Sequence, residues 1–164
     1  MTKRYLGTIL LPGSYDPVTV GHLNSLRFLA ERSERVIALI MTLREEEKKR
    51  WIPSKDMKKL IEEAAMAEGL YNVTATIEDE GWLAHSIDRL NATGVARSFH
   101  PHIQVEQELD LIYTVTSMEV PVLIIPSQLH LRASEIRLLA EEGLAEECRE
   151  QLPPNVYEYI RHHS

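Results

Sequence analysis

The feature that most constrains the fold is an apolar run cut off by Pro12, Gly13, Ser14, Asp16 and Pro17, after which apolar residues resume at helical spacing. Residues 5–11 read as a short strand and 12–17 as a tight loop. Gly21 and His22 open a helix that carries Leu23, Leu26, Leu29 and Ala30 on one face. A strand–loop–helix unit of this kind leaves backbone N–H groups free at the helix start, here beside an imidazole, and both can face a phosphate placed over the strand end. Gly13 is expected to supply a turn conformation, and Gly21 to let a ligand approach the backbone closely. The same residues also describe an ordinary βα turn with a partly buried histidine. The pattern alone leaves both readings open.

The pattern then repeats. Residues 35–41, RVIALIM, are nearly continuous in apolar character, as in a strand covered by helices on both faces. Residues 42–54 lack a period and read as a loop, with Lys48, Lys49 and Arg50 able to offer positive charge beyond the strand end. Ser54 is placed as the cap of a helix running to about residue 68 and stopped by Gly69. Residues 72–77 form the next strand, and 81–94 the next helix. A short strand follows around Val95 to Arg97, then an acidic helix near 101–110, a strand at 120–125, helices at 135–142 and 144–150, and a terminal helix after the proline break. Five strands alternating with helices over short connections predict an α/β, Rossmann-like single domain over residues 1–164, with a five-stranded parallel sheet and helices on both faces.

Charge and composition narrow the partners. Eighteen Lys and Arg against 25 Asp and Glu give a net charge of −7, so nucleic acid is not the expected partner. Apolar runs are too short for a membrane span and the N-terminus lacks the pattern of a signal peptide. With Cys148 the single cysteine, no internal disulfide is available. A cytoplasmic location without membrane contact is the expectation. His100 and His102 have a metal-like spacing, but no convincing third ligand accompanies them, and no metal site is expected.

Residues 12–23, PGSYDPVTVGHL, resemble the N-terminal signature of the HxGH nucleotidyltransferases in its variant with threonine first, and are most similar to bacterial phosphopantetheine adenylyltransferases. The resemblance covers roughly residues 5–161. It implies transfer of AMP from ATP to 4'-phosphopantetheine, giving dephospho-coenzyme A and pyrophosphate, with Mg2+ joining the phosphates. It also implies a homo-oligomer, in this family a hexamer.

Carried over residue by residue, the resemblance places His22 and Ser14 on the reacting phosphates. It puts Lys48 (or its neighbour Lys49) and Arg97 on the incoming phosphate, and Ser134 at the leaving pyrophosphate. Gly13, Tyr15, Gly21, His100, Arg132 and Arg137 complete the nucleotide side; Trp82, Leu83 and Glu108 fall on the acceptor side. Trp82 is equally a core residue by composition. Four departures stand out: His100 replaces an arginine, Gln107 a tyrosine, Val115 an asparagine, and Arg132 and Ala133 two serines. The alternatives are a related nucleotidyltransferase acting on another phosphorylated acceptor, nicotinate mononucleotide among them, a noncatalytic nucleotide-binding protein, and a structural protein whose oligomer surface matters more than its cleft.

Overall fold

The apolar runs at residues 9–11 and 36–40 bury both of their faces and become the centre of the sheet. The computed structural model describes residues 6–101, 103–127 and 131–163; Tyr5 and His102 lie outside them. The chain alternates β1 (Leu6–Gly13), α1 (Val20–Ala30), β2 (Ser33–Met41), α2 (Ser54–Ala67), β3 (Val73–Glu78), α3 (Leu83–Arg89), β4 (Gly94–Phe99), α4 (Val105–Ser117), β5 (Val122–Pro126), α5 (Ala133–Glu141) and α6 (Pro154–His163). The five strands are parallel, in the order β3-β2-β1-β4-β5. The α/β, Rossmann-like expectation holds.

Alternation along each strand divides the interior. Ile9, Leu11, Val36, Ala38, Ile40 and Ala96 pack on one face with residues of α1, α2, α5 and α6. Leu10, Ile37, Leu39 and Val95 pack on the other with Leu83 and Ile87 of α3 and Val115 of α4. Val115 is fully buried, so its apolar character belongs to the second core, where an unpaired amide would carry a desolvation cost.

Two local expectations are corrected. Residues 44–49 form a 3-10 helix rather than a structureless loop. Ser54 does not cap α2: Pro53 holds the cap position, and the Ser54 N–H, left without a helical partner, donates to Glu47 Oε1 at 2.8 Å. Gly69 does end the helix with φ +75.

The sheet order reverses between β1 and β4, and there the strands part. β1 follows β2 in register as far as Gly13↔Ile40, but meets β4 at Ile9↔Gly94 and Leu10↔Val95. Toward the carboxyl ends the two strands are bridged by a side chain, as Arg97 Nη1 donates to the Pro12 carbonyl at 2.5 Å. A crevice at such a switch point is where open α/β sheets receive ligands.

Candidate functional site

The loop after β1 is held in shape by charge and by a buried ring. Tyr15 has φ 47, in the left-handed region, and is 1% exposed; its hydroxyl donates to the Leu11 carbonyl at 2.6 Å. The left-handed residue is thus Tyr15 and not Gly13, contrary to expectation. Glycine at 13 leaves room for the tyrosine, since a Cβ there would lie 3.3 Å from the ring. Burial pushes the Tyr15 hydroxyl well above its ordinary pKa, with the charge of Arg97 opposing, so the phenol is a neutral packing element.

Asp16, also buried, accepts the Trp51 N–H on Oδ2 and the Ile52 N–H on Oδ1, both at 2.9 Å. Arg50 completes the anchor. Its side chain is 5% exposed and donates to the carbonyls of Ser14 (2.8 Å), Tyr15 (2.9 Å) and Ile52 (2.9 Å). Burial lowers its pKa while Asp16 and Glu47 oppose that shift.

At the start of α1, Thr19 and His22 close a capping box: Thr19 Oγ1 accepts the His22 N–H at 3.4 Å, and the Thr19 N–H donates to His22 Nδ1 at 3.0 Å. A backbone N–H can only donate, so Nδ1 is the acceptor and a neutral imidazole carries its proton on Nε2. The ring lies 4.8 Å from that of Tyr15. Burial, and secondarily the charge of Arg97, push the imidazole pKa down from 6.5 to about 4. The site therefore holds a neutral histidine with one N–H to give.

From β4, Arg97 forms a two-pronged pair with Glu108 of α4, Nε to Oε2 at 2.9 Å and Nη2 to Oε1 at 2.6 Å. This hydrogen bonding holds the Glu108 carboxyl below its ordinary range. Ser98 Oγ lies 2.7 Å from Ser25 Oγ and ties β4 to α1. From α5, Arg137 Nη1 donates to the Asp16 carbonyl at 2.5 Å, joining the far end of the chain to the first loop. Arg132 occupies the cap position of α5 and its N–H donates to Glu135 Oε2 at 2.6 Å. Ser134 therefore sits inside the first turn and is not the cap, correcting the sequence expectation.

Together these elements line a cavity of about 620 Å³. Gly13, Ser14, Tyr15, Gly21, His22, Arg97, His100, Glu108, Arg132, Ser134 and Arg137 are all on its wall, so most of the residues predicted from sequence converge. Three do not. Lys48 is exposed on the 3-10 helix and does not line the cavity; Arg50, two residues on, is also off the wall but donates to the loop carbonyls of Ser14 and Tyr15. Trp82 is 60% exposed and stacks on His85, and Leu83 is buried in the second core, so neither side chain lines the cavity.

Sequence reasoning gave Thr19 no capping role, took Asp16 only as a loop residue, and named Arg50 only as one of three cations beyond the second strand. A polar residue three positions before the histidine signals the capping box; nothing local in the sequence reveals that Arg50 folds back on residues 14 and 15. Among the described residues, no three His, Cys, Asp or Glu side chains converge to hold a metal ion, and no helix is long and apolar enough to cross a membrane.

Comparison with known proteins concerns the family and the fold. The cytidylyltransferase-like family matches residues 10–138. No curated protein sequence matches the chain. Among solved structures, the fold is similar to a bifunctional NMN adenylyltransferase/ADP ribose pyrophosphatase from Francisella tularensis (TM-score 0.73, 17% identity), over 96% of this chain and 49% of that one. It is also similar to a putative nicotinate-nucleotide adenylyltransferase from Vibrio parahaemolyticus (TM-score 0.62, 16% identity), over 94% and 98% of the two chains. A lipopolysaccharide core biosynthesis protein from Thermoplasma volcanium matches over 77% of this chain and 99% of its own, with TM-score 0.55 and 13% identity. This chain spans about half the length of the Francisella protein. At these identities the likenesses establish the fold.

Proposed function

The chain belongs to the cytidylyltransferase-like family, and from that premise we propose that it transfers a nucleotidyl group from a nucleoside triphosphate, ATP in the favoured reading, to a phosphorylated small molecule with release of pyrophosphate. The observation that carries this reading is the convergence of His22, Arg97 and the start of α5 around one cavity at the switch point. A phosphate oxygen of the acceptor attacks the α-phosphorus of the triphosphate in line, and the bond to the bridging oxygen of pyrophosphate breaks. No enzyme nucleophile is needed. Catalysis then rests on positioning two anions and stabilising charge on the transferring group.

Each wall of the cavity takes a part. The Nε2–H of His22 is given to the reacting phosphates, with Ser14 and the backbone of residues 13–15 beside it and Gly21 leaving space. Arg97 meets the incoming phosphate. Arg132, Ser134, Arg137 and the first turn of α5 receive the leaving pyrophosphate, where a helix start and two guanidinium groups favour negative charge. His100 stands on the same wall and contributes one imidazole where the resembling family has an arginine. No residue of this chain is assigned to a metal. Magnesium enters as part of the MgATP substrate, held by phosphate oxygens.

The acceptor is a phosphomonoester, and two chemical classes are in contention. The likeness to the Francisella and Vibrio structures, whose names specify NMN and nicotinate nucleotide, supports a mononucleotide. A Francisella structure with AMP and a manganese ion supports adenylyl transfer. The threonine-first motif supports 4'-phosphopantetheine. Its support is reduced because Trp82 and Leu83, assigned to the pantetheine arm, lie off the cavity. A cytoplasmic homo-oligomer, hexameric in the pantetheine branch, accompanies that second reading.

The test is magnesium-dependent pyrophosphate release from ATP with nicotinamide mononucleotide, nicotinate mononucleotide or 4'-phosphopantetheine, each run beside the His22→Ala variant. Release with one acceptor that is lost in the variant supports the reading and names the acceptor. Absence of release with all three, with ATP bound, leaves a nucleotide-binding protein instead.

A further inference from the structure

Arg97 lies two residues past the last pairing of β1 with β4, and its backbone is paired with Ile124 of β5, so the strand ladder does not orient its side chain. Its guanidinium is placed instead by three acceptors: the two oxygens of Glu108 and the carbonyl of Pro12. We propose that Glu108 is a positioning residue, not an acceptor contact, and that its carboxylate stays on Arg97 while phosphates occupy the cavity. The inference rests on the nucleotidyl-transfer reading and assigns a role within the same site.

The donor count makes it feasible. A guanidinium carries five N–H groups. Nε–H and one N–H of Nη2 go to Glu108, and one N–H of Nη1 goes to Pro12. Each terminal nitrogen keeps one N–H. These suffice for a phosphate without loss of the carboxylate.

Burial makes persistence favourable. The side chains of Arg97 and Glu108 are 22% and 15% exposed, so swinging Glu108 away would strand a half-buried charge without its partner. Glu108 also lies in the first turn of α4, where the free N–H groups of the helix favour an anion. The alternative makes Glu108 a placeholder, keeping Arg97 occupied until a phosphate displaces it. These geometries are the same in the empty site and differ on loading.

The electrostatic consequence bears on the reaction. Paired to Glu108, Arg97 presents directed N–H groups with little net charge. It orients the incoming phosphate without holding it as tightly as an unpaired cation would, which keeps binding from being spent equally on ground state and transition state.

The experiment combines a cycle of variants with a spectroscopic probe. Pyrophosphate release is measured for wild type, Arg97→Lys, Glu108→Gln and the double variant, with the acceptor that supports turnover. Positioning predicts that Glu108→Gln lowers kcat by at least about tenfold with a smaller change in KM. It also predicts that the double variant falls within about threefold of Arg97→Lys alone, because Glu108 acts through Arg97. Fully additive losses, or a raised KM for the acceptor with kcat retained, would make Glu108 a substrate contact and overturn the proposal.

The probe is the 15N–1H signal of Arg97 Nε. It should be protected from exchange in the wild type, lost in Glu108→Gln, and retained when each candidate phosphomonoester acceptor is added. Its disappearance from the wild type on adding the acceptor would sink the claim that the pair persists. This readout needs no turnover, so a failure of the pair is separable from a failure of the wild type to release pyrophosphate.

Discussion

His22 concentrates the chemistry of the site in one neutral ring. Its tautomer follows from the Thr19 N–H on Nδ1 and its low pKa from burial and Arg97. With a folded value of about 4 and an ordinary value of 6.5, the unfolded chain binds the proton more readily. Stability is therefore full above pH 6.5 and falls as the pH drops toward 4, by on the order of 3 kcal/mol across that window. Urea unfolding from pH 7 to 4 should show this slope, and His22→Gln should lose it. If neutral His22 donates to the reacting phosphates, activity should show no acid limb from this residue near pH 6.5, and His22→Ala should lower kcat by about a hundredfold or more while the ATP Kd changes little. Arg50 makes a second prediction at this scale. Lys has a single ammonium and cannot fork to three carbonyls, so Arg50→Lys should destabilise the chain by about 1–3 kcal/mol in thermal unfolding. A loss below a few tenths would show the anchor to be dispensable.

The elements explain why some expectations held and others moved. Helix α1 was legible because its apolar spacing and its proline-rich approach agree with each other, while its Thr19–His22 capping box came only with the structure. Strands β1 and β2 were legible because burial on both faces demands continuous apolar residues. The start of α3 was not, because Trp82 and Leu83 are both large apolar side chains and the sequence cannot say which of two neighbours turns inward. Leu83 turns into the second core and Trp82 to the surface. Leu83→Ala should cost about 2–4 kcal/mol in denaturant unfolding and leave the acceptor KM within twofold. Trp82→Ala should change stability by less than about 0.5 kcal/mol, and a large rise in acceptor KM would restore it to the site. Ser134 shows the same limit: whether the helix opens at residue 132 or 134 is decided by Glu135 reaching back to the Arg132 N–H.

At the scale of the whole molecule, the cavity joins segments that are remote in the chain. Arg137 bonds to Asp16, Arg97 to Pro12 and Arg50 to Ser14, so a ligand seated there braces β1, β4 and α5 together. MgATP at about a hundred times its Kd should stabilise the fold by about 2.7 kcal/mol, seen as a rise in Tm. Arg137→Ala should shrink that rise at fixed ligand concentration. An unchanged rise would remove Arg137 from the nucleotide side. The sequence by itself determined the alternation of strands and helices and the first loop, and the resemblance of its motifs pointed to half of the residues on the cavity wall. The first two follow from local rules: period, proline and glycine chemistry, and helix starts. Only the tertiary structure decided the sheet order, the splay of β1 from β4, the tautomer of His22, and which cation braces the first loop. Lys48 and Arg50 are two residues apart and equally charged, and no local rule separates them. Burial beneath the loop does, because the forked donors of Arg50 satisfy three carbonyls there that the ammonium of a lysine would leave in part unpaired.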